Sequence, residues 1–467
     1  MGLVNLRGIY TYMKKQTKGV SIKKIDAGDY VNVPLAVDGI VASDPAVEIG
    51  DEVKCGSLIG KPVGKFGLNI FSPVAGKVLN IFDKKNEKGE DVKHVLILNN
   101  KTDEVENLPE IESITDLALL ARLSECGLVD TLAKMPTYLK YAYVGSRSYN
   151  KLLILMDSCS PNNTVNESII LEHMEEVING AKYFMNFTNA PLITFIFSES
   201  NYKLAMKLKK HILESKKNYD FKIKFIPNKY PFDNPYILAK IVCGKSVGNR
   251  ISFLDVGVTI ETAESCYNFC RAVEFNRPVT SKIVTIDGSN IENKGNYQIP
   301  IGMSTNDVLN CVGINDKEAF SRLIFGNLLC GRTLEDGGAV VSILTDSIVF
   351  EKQDILEDMQ EHPCISCGKC SSICPMFLKP NELDDAFIEG DIGFMEKNGV
   401  NSCIACGCCS YVCPAKRHLT QRIAAGKYYD SKKRGERLWI SWLFQVLLLF
   451  AKEMILTKCF CLLPSRF

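Results

Sequence analysis

Short apolar runs alternate with turn residues near the start of the chain. Between residues 28 and 100, runs such as Val31–Leu35, Ile70–Phe71 and Val78–Ile81 are separated by Gly, Pro, Asn and Asp. Runs of this kind, bounded by turn residues, are typical of strands. We therefore predict a small all-β domain and place its limits at residues 1–110.

The pattern changes to helical spacing between apolar strands from about residue 111. Predicted strands at Leu152–Leu155, Leu192–Phe197 and Phe221–Ile226 alternate with predicted helices at Glu167–Met185 and Asn201–Lys217. This alternation favours a parallel sheet within an α/β layer. We assign residues 111–250 to a Rossmann-like α/β domain.

Strand patterns return over residues 251–350. The segment Val279–Ile286 is followed by an Asp287-Gly288 turn, by an apolar run at Ile299–Gly302 and by a short predicted helix at Thr305–Cys311. A hairpin followed by one short helix predicts a further small domain built mainly of strands.

Composition and charge exclude some classes of function. The chain has 467 residues, 55 basic and 54 acidic side chains and 46% apolar residues, as in a multidomain globular protein. Nucleic-acid binding is not expected, because there is no basic excess. The segment Met1–Arg7 has neither a secretory signal nor the Ser or Thr that a myristoylation signal requires, so we expect a cytoplasmic protein.

Two cysteine runs carry the strongest chemical signal. Cys364–Pro375 and Cys403–Pro414 both follow the spacing Cys-x2-Cys-x2-Cys-x3-Cys-Pro. This spacing lets one loop place three thiolates on a [4Fe-4S] cubane, while the fourth cysteine reaches the other cluster. We predict a ferredoxin domain with two [4Fe-4S] clusters over residues 355–425. Cysteines with metal-ligand spacing also indicate a reducing compartment.

Each predicted cluster takes three cysteines from one run and one from the other. The first is assigned Cys364, Cys367, Cys370 and Cys413, and the second Cys403, Cys406, Cys409 and Cys374, with Cys408 as a spare thiol. Zinc is the alternative metal, but zinc ribbons pair two Cys-x2-Cys knuckles and do not require Cys-Pro after each. Since neither run offers a non-cysteine ligand position, we expect an electron relay without a catalytic residue.

The order of these modules resembles the C subunit of Rnf-type electron transport complexes and its relatives. The likeness covers about residues 5–425, and its most specific stretches are Pro34–Asp51, Asp255–Val258, Pro300–Gly302 and the cysteine module. It implies a barrel-sandwich domain of the biotinyl and lipoyl kind, an α/β domain like the flavoprotein subunit of respiratory complex I, a β-grasp domain of the soluble-ligand-binding type at residues 251–350, and a helical ferredoxin module. It also implies FMN and NADH sites.

The chain departs from this family where flavin and nicotinamide would bind. The family's glycine-rich loop corresponds to Gly127–Thr137, in which Asp130, Leu132 and Lys134 carry side chains. Two further family segments lose their acidic or glycine positions, here Met156–Pro161 and Pro231–Pro235. Side chains remove the φ freedom and the space that close backbone approach requires, so FMN and NADH are doubtful cofactors. We expect Cys159 to be a buried thiol, with a redox role as the alternative.

The C-terminal tail, residues 426–467, has an amphipathic pattern. The basic run Lys432–Arg437 precedes the apolar stretch Leu438–Ala451. As a helix this stretch would reach about 21 Å, against a hydrocarbon core of about 30 Å, so it should not span a membrane. It suits an interfacial helix on an anionic membrane surface or a groove on a membrane partner, with intramolecular packing as the third alternative.

These features predict an iron–sulfur electron-transfer protein. We expect it to relay electrons between a soluble redox partner and a protein acceptor. Its partners would be other electron-transfer proteins or membrane subunits of a redox complex, and it would be cytoplasmic or peripheral on the cytoplasmic face of the membrane. The alternatives are a soluble paralogue serving a proline or cobalamin reductase, an FMN-dependent NADH dehydrogenase subunit and a zinc-stabilised adaptor.

Overall fold

The chain folds into two compact units. The computed structural model describes residues 6–10, 15–37, 41–64, 67–85, 91–142, 149–188, 190–215, 220–248, 251–289, 291–314, 322–334, 339–351 and 360–433. Of these, residues 8–351 belong to one unit, and residues 6–7 together with 360–433 belong to the other.

The first unit begins with strand β1 (Ile22–Lys24) and then forms two small antiparallel sheets. Their strands are β2 (Tyr30–Pro34), β3 (Ala36–Val37), β4 (Val41–Pro45), β5 (Glu52–Val53), β6 (Leu58–Pro62), β7 (Ile70–Phe71), β8 (Gly76–Lys85) and β9 (Asp91–Asn99). The strand orders are β2-β9-β8-β5 and β3-β4-β6-β7. Alternate residues Val31 and Val33 of β2 are fully buried, as the period of two in a half-buried strand requires. The all-β character predicted for this region is confirmed.

An α/β layer follows. Its elements are α1 (Asp116–Glu125), β10 (Val129–Asp130), β11 (Met135–Pro136), α2 (Tyr138–Tyr141), β12 (Lys151–Leu155), α3 (Val165–Glu172), α4 (Met174–Thr188), β13 (Ile193–Ser198), a 3₁₀ turn (Glu199–Asn201), α5 (Tyr202–Glu214), β14 (Phe221–Ile226), α6 (Pro235–Cys243), β15 (Val258–Thr262) and α7 (Ala263–Glu274). Four parallel strands form the sheet in the order β14-β13-β12-β15. Strands β13 and β15 are buried along their whole length, as is usual in parallel sheets.

Helix ends in this layer follow local signals. Asn234 caps the start of α6 with its side chain, and Gly244 ends the helix in the left-handed conformation that glycine adopts at no steric cost. The single helix predicted over Glu167–Met185 is instead two helices. His173 leaves the helical conformation after donating its backbone N–H to the carbonyl of Ile169, and this ends α3.

The predicted boundary at residue 250 needs correction. Strand β15 pairs in parallel with β12, and α7 packs on α4, so Val258–Glu274 completes the α/β layer. Thr262 caps α7 by accepting a hydrogen bond from the backbone N–H of Ser265. A buried strand of five residues has the same apolar pattern in either sheet, so periodicity could not assign it.

A mixed six-stranded sheet completes the first unit. Its remaining elements are β16 (Ser281–Gly288), β17 (Gly295–Pro300), α8 (Thr305–Cys311), β18 (Arg322–Phe325), β19 (Arg332–Leu334) and β20 (Ser347–Glu351). The order is β1-β17-β16-β20-β18-β19, with β16 parallel to β20 and antiparallel to β17. Strand β1 lies parallel to β17 at the edge. Ile22–Lys24 therefore belongs to this sheet, which corrects its assignment to the domain at residues 1–110.

The second unit is helical. Its elements are α9 (Lys369–Ile373), α10 (Pro380–Ile388), α11 (Ile392–Lys397), a 3₁₀ turn (Val400–Ser402), α12 (Cys408–Tyr411) and α13 (Leu419–Lys433). Leu383, Met395 and Leu419 form its small core. The predicted limit between ferredoxin domain and tail, at residues 425 and 426, falls inside α13, where Asp430 is buried against Asn401. The tail beyond Lys433 lies outside the described residues.

Replacing Gly180 with alanine should lower the free energy of unfolding of the first unit by about 1–3 kcal/mol, the usual cost of overpacking. The new Cβ on α4 would collide with the backbone carbonyl of Cys266 on α7, which outweighs the gain of about 1 kcal/mol in helix propensity. Urea denaturation followed by circular dichroism measures the change. Gly248→Ala is the matched control, because no atom lies within 4 Å of the corresponding Cβ. Equal losses in both variants would contradict this account of the α4–α7 contact.

Candidate metal centre

The two cysteine runs have similar backbone conformations at matching positions. Cys403 in the second run corresponds to Cys364 in the first. Ser366 and Ala405, at the same place in each run, have positive φ angles of 53° and 50°. Their backbone N–H groups donate to Cys364 Sγ and Cys403 Sγ, each at 3.4 Å. Each loop therefore turns an amide towards its first sulfur, where it stabilises negative charge.

The third cysteine of each run also has an equivalent polar neighbour. Cys370 Sγ lies 3.8 Å from Asn381 Oδ1, and Cys409 Sγ lies 3.3 Å from Thr420 Oγ1. Asn381 is on α10 and Thr420 is on α13, so the helix that follows each run supplies the contact. The two halves thus repeat in their supporting side chains as well as in their cysteines.

The fourth cysteine of the first run lies among the cysteines of the second. Cys374 interacts electrostatically with Cys403 and Cys406. Burial and the charges of these three cysteines raise the pKa of Cys409 to about 12. Cys408 is fully buried and forms a side-chain hydrogen bond with Cys406. Cys374 therefore lies near the three cysteines of the second run with which it was grouped.

The cysteines assigned to the first cluster are partly at the surface. Cys370 and Cys413 interact electrostatically across the two runs. Cys364 and Cys367 are exposed, whereas Cys374 of the other group is only 8% exposed. Within the described ranges, no three His, Cys, Asp or Glu side chains are placed to bind a single metal ion.

A buried network of charges lies beside the first run. Arg417 pairs with Asp384 at 2.5 Å and with Asp385 at 2.9 Å. Asp384 is fully buried, and the Arg417 side chain is 8% exposed. Arg422 pairs with Asp384 at 3.4 Å and with Glu361 at 2.5 Å. Carboxylates thus hold the Arg417 guanidinium in place.

The segment that corresponds to the glycine-rich loop is a tight hairpin. Strands β10 and β11 pair antiparallel, with Val129 opposite Pro136. Asp130 Oδ1 accepts hydrogen bonds from the backbone N–H groups of Leu132, at 2.9 Å, and Ala133, at 3.1 Å. Backbone amides bind phosphate when they are free to point at it. Here these two amides are already bonded to a carboxylate.

The same carboxylate belongs to a buried ion network. Lys140 Nζ lies 2.7 Å from Asp130 Oδ2 and 2.7 Å from Glu261 Oε1, and Tyr141 donates to Glu261 at 2.6 Å. Burial alone would lower the pKa of Lys140, but the charges of Asp130 and Glu261 raise it above its ordinary value. The network links the hairpin to β15, and Lys140 neutralises the charge of Asp130 within the protein.

The two other altered segments bond to each other. Asp233 Oδ2 accepts hydrogen bonds from the Ser158 hydroxyl at 2.7 Å and from the Cys159 N–H at 2.9 Å. The fully buried Asp157 carboxylate accepts the N–H and the hydroxyl of Ser198, at 2.9 and 2.6 Å. Burial, followed by the charge of Asp233, raises the pKa of Cys159 well above its ordinary value. This thiol stays protonated at neutral pH, as the expectation of a buried cysteine requires.

Lys15, from the N-terminal region, closes the same edge of the α/β sheet. Its Nζ donates to the backbone carbonyls of Ser158, at 2.5 Å, and Asn163, at 2.8 Å, and pairs with Glu167 at 3.2 Å. The Lys15 side chain is 15% exposed. The positively charged Lys15 side chain is therefore bonded to the polar groups that follow β12.

The pocket beside the hairpin is small. It holds about 270 Å³ of empty space, open solvent included, and its lining includes Val129, Thr131, Glu264 and Lys282. Pockets that enclose a sizeable ligand usually measure about 300–1,000 Å³. The loop amides and the neighbouring charges of these segments are thus bonded internally.

Three protein families match successive parts of the chain. The RnfC barrel sandwich hybrid domain matches residues 6–102, the Nuo51 FMN-binding domain matches residues 124–271, and the 4Fe-4S dicluster domain matches residues 358–414. The second match includes β15 and most of α7, in agreement with the corrected limit of the α/β layer.

Curated relatives match most of the chain. The C subunit of the proton-translocating ferredoxin:NAD(+) oxidoreductase complex of Clostridium ljungdahlii is 28% identical over 375 residues, which cover 79% of this chain and 81% of that protein. The C subunit of the ion-translocating oxidoreductase complex of Rhodobacter capsulatus is 26% identical over 394 residues, covering 83% of this chain and 75% of that protein. The chain is a relative of the C subunits of ion-translocating oxidoreductase complexes. The resemblance stated from the sequence is confirmed.

For this relative of the C subunits, the cysteine module indicates the class of function. The 4Fe-4S dicluster match and the curated relatives together support iron–sulfur electron transfer. The FMN-binding domain is present as a fold, and its loop chemistry differs as described above. No helix within the described ranges has both the length and the apolar content needed to cross a membrane.

Two solved structures of NAD+-reducing [NiFe]-hydrogenase, in the air-oxidized and H2-reduced states, are also similar to this chain. Each is 11% identical, with TM-scores of 0.46 and 0.48. The matches cover 60% and 69% of this chain, and the chain spans 54% and 63% of those chains. With TM-scores below 0.5, these matches do not establish a shared fold.

The cysteines proposed as ligands in this Rnf relative were predicted from their spacing, whereas the residues that support them were not. Asn381 and Thr420 each lie the same distance beyond the third cysteine of their run, and this repeat of polar residues was a usable signal. Arg417 has no such signal, because the first run has Leu378 at the equivalent position. Lys15 and Lys140 act through contacts distant in sequence, which spacing cannot reveal.

Proposed function

We propose that this protein is an electron-transfer subunit that relays electrons through two [4Fe-4S] clusters. The observation that carries the proposal is the pair of equivalent loops, in each of which an amide and a polar side chain contact the cysteine sulfurs. The proposed ligands are Cys364, Cys367, Cys370 and Cys413 for cluster I and Cys374, Cys403, Cys406 and Cys409 for cluster II.

The ligand chemistry favours a relay over catalysis. Cubane clusters supply one-electron chemistry, and four cysteines on each leave no coordination position for a substrate. The loops hold the sulfurs, and α10 and α13 supply the polar groups around them. Electrons would pass from a soluble redox partner through both clusters to a protein acceptor.

We infer that the upstream domains are a scaffold of barrel-sandwich, α/β and β-grasp type. The strand order β17-β16-β20-β18-β19, with β16 and β20 parallel at the centre, supports a β-grasp of the soluble-ligand-binding type. Strand β1 adds a sixth strand to it. We propose the domain limits drawn from the sequence, with the corrections made above for β1, β15 and α13.

We infer that the α/β domain binds neither FMN nor NADH tightly. A phosphate at the hairpin would have to displace Asp130 from two amides and from Lys140. Breaking a buried ion pair costs about 3–5 kcal/mol, which a ligand would have to repay. The loop chemistry thus opposes an NADH dehydrogenase activity for this chain alone.

The names of the relatives suggest the kind of complex in which this protein acts. Their names describe subunits of oxidoreductase complexes, so we propose as partners other electron-transfer proteins and membrane subunits of such a complex. We place the protein in the cytoplasm or on the cytoplasmic face of the membrane, with the basic and apolar tail as the proposed attachment.

Anaerobically purified protein should contain about eight iron and about eight labile sulfide ions per chain, because two cubanes are proposed. Iron, zinc and acid-labile sulfide are measured in the same sample, and dithionite-reduced protein is examined by electron paramagnetic resonance. Stoichiometric zinc without sulfide would overturn the proposal in favour of a structural zinc site.

Replacing Cys374 with serine should destroy or convert cluster II and spare cluster I, because Cys374 lies among the cysteines of the second run. Iron content should fall by about half if the cluster is lost. Cys408→Ser is the matched control, since it removes a neighbouring thiol that is not a proposed ligand. Loss of cluster I in Cys374→Ser, recognised by comparison with Cys367→Ser, would refute the crossed assignment.

The purified protein should carry far less than one FMN per chain and should reduce artificial acceptors poorly with NADH, because the hairpin amides are bonded to Asp130. Flavin released on acid denaturation and an anaerobic NADH titration measure both. Dithionite should still reduce the clusters, which shows that the protein is intact. One FMN per chain with micromolar NADH affinity would reverse this inference.

A further inference from the structure

We infer that one face of α5 docks on a bilayer surface rich in anionic phospholipid. This surface, which we call the α5 face, consists of the apolar residues Tyr202, Met206 and Leu213 and the lysines Lys203, Lys207, Lys209 and Lys210. The inference goes beyond the proposed electron relay, because it requires no cluster, and it concerns a surface separate from the C-terminal tail.

Helix α5 is fixed in orientation by its buried side. Ala205, Leu208 and Ile212 are buried at three- and four-residue spacing, and α5 packs against β13. These three residues occupy one side of a helix with 3.6 residues per turn. The α5 face is therefore presented to solvent by a helix that the core holds in place.

An apolar stripe runs along the exposed side of α5. Tyr202 and Leu213 are 57% and 63% exposed, and Met206, one turn after Tyr202, is partly exposed. At about 100° per residue, these three side chains fall within about 40° of one another, over about 16 Å of helix. Exposed apolar side chains that line up in this way, instead of being scattered singly, indicate a contact surface.

Lysines border the stripe on both sides. By the same spacing, Lys209 lies on one side, and Lys203, Lys207 and Lys210 lie on the other. Within the part of the chain that the structure describes, only Lys210 among these four has an ion pair, an exposed one with Glu214 at 3.7 Å. The α5 face therefore carries positive charge that no neighbouring carboxylate balances.

The positive charge is local to this part of the chain. Residues 199–224 contain eight lysines, three acidic residues and no arginine, whereas the whole chain has 55 basic and 54 acidic residues. Such a concentration of one sign produces a positive potential that the net charge of the chain does not reveal. The potential attracts an anionic partner, and salt weakens that attraction.

The residue types favour a lipid surface over an acidic protein. Protein–protein interfaces are enriched in arginine and depleted in lysine, and all cations of the α5 face are lysines. Tyrosine and leucine between lysines match an interfacial contact, in which apolar side chains enter the headgroup boundary and lysines extend to the lipid phosphates. Each lysine near an anionic bilayer strengthens binding about fivefold.

The test is co-sedimentation of the full-length protein with vesicles of phosphatidylglycerol and phosphatidylcholine. The four basic residues of Lys432–Arg437 are replaced by glutamine in every sample, so that the cations of the tail do not contribute. The combined change Lys203→Gln, Lys207→Gln and Lys209→Gln should weaken binding about a hundredfold. Leu213→Ser should weaken it about fivefold, because the leucine no longer enters the headgroup boundary. Binding should decrease with added salt and should be weak on vesicles of phosphatidylcholine alone.

The matched control combines Lys54→Gln, Lys93→Gln and Lys101→Gln. It removes the same charge from exposed lysines that each pair with an acidic residue, and it should leave binding nearly unchanged. Circular dichroism should show that all variants stay folded, since the replaced side chains are exposed.

Absence of binding to the anionic vesicles, equal losses in the α5 and control variants, or no effect of Leu213→Ser would overturn the inference. Preferential binding of polyglutamate, lost in the same α5 lysine variant, would overturn it in favour of an acidic protein partner. Iron and sulfide are measured in the same samples, so failure of the proposed relay is distinguishable from failure of this inference.

Discussion

The gathering of cysteines from two separate loops is the constraint on which the helical unit depends. Each loop carries three cysteines on one stretch of chain, and its fourth cysteine interacts with the other loop, Cys374 with Cys403 and Cys406 and Cys413 with Cys370. The apolar core beneath them is small, built around Leu383, Met395 and Leu419. Small cores supply little stability, so in the proposed holoprotein the clusters would join the two halves more firmly than side-chain packing does.

Spacing predicted the iron–sulfur class of this unit, which the 4Fe-4S dicluster match supports, because ligand geometry is local. Three cysteines within one loop can serve a cubane only at certain separations, and these separations are visible in the sequence. The supporting contacts were harder to predict. Arg417 pairs with Asp384 from beyond the second run, and the sequence contains no periodic feature that would pair them. A long-range contact of one side chain has no signature in local patterning.

The same limit of local patterning explains why the domain boundaries predicted for the first unit misplaced two strands. Alternating helices and strands predicted the α/β layer, but not the sheet to which each short strand belongs. Strand β15 follows a loop after α6 and returns to pair with β12, while β1 crosses to β17. Loss of the loop glycines was visible in the sequence, whereas the hairpin formed there and held by Asp130 and Lys140 was not. The α/β domain keeps its fold, while the polar groups of the hairpin and of the loop after β12 bond to one another. Both can hold at once because a fold does not by itself determine function.

The N-terminal segment has a consequence for how the first unit can be divided. Lys15 bonds to the loop after β12, Thr17 contacts Thr164 at 2.7 Å, and β1 lies on β17. A single short stretch of chain thus joins two domains that follow it much later in sequence. A fragment started at residue 111 would expose the buried carboxylate of Glu167 without its cation and would leave β17, still paired with β16, as the new edge of its sheet. The modular order seen along the sequence is therefore not a set of separable pieces, and the smallest autonomous form of this scaffold includes its N-terminal segment.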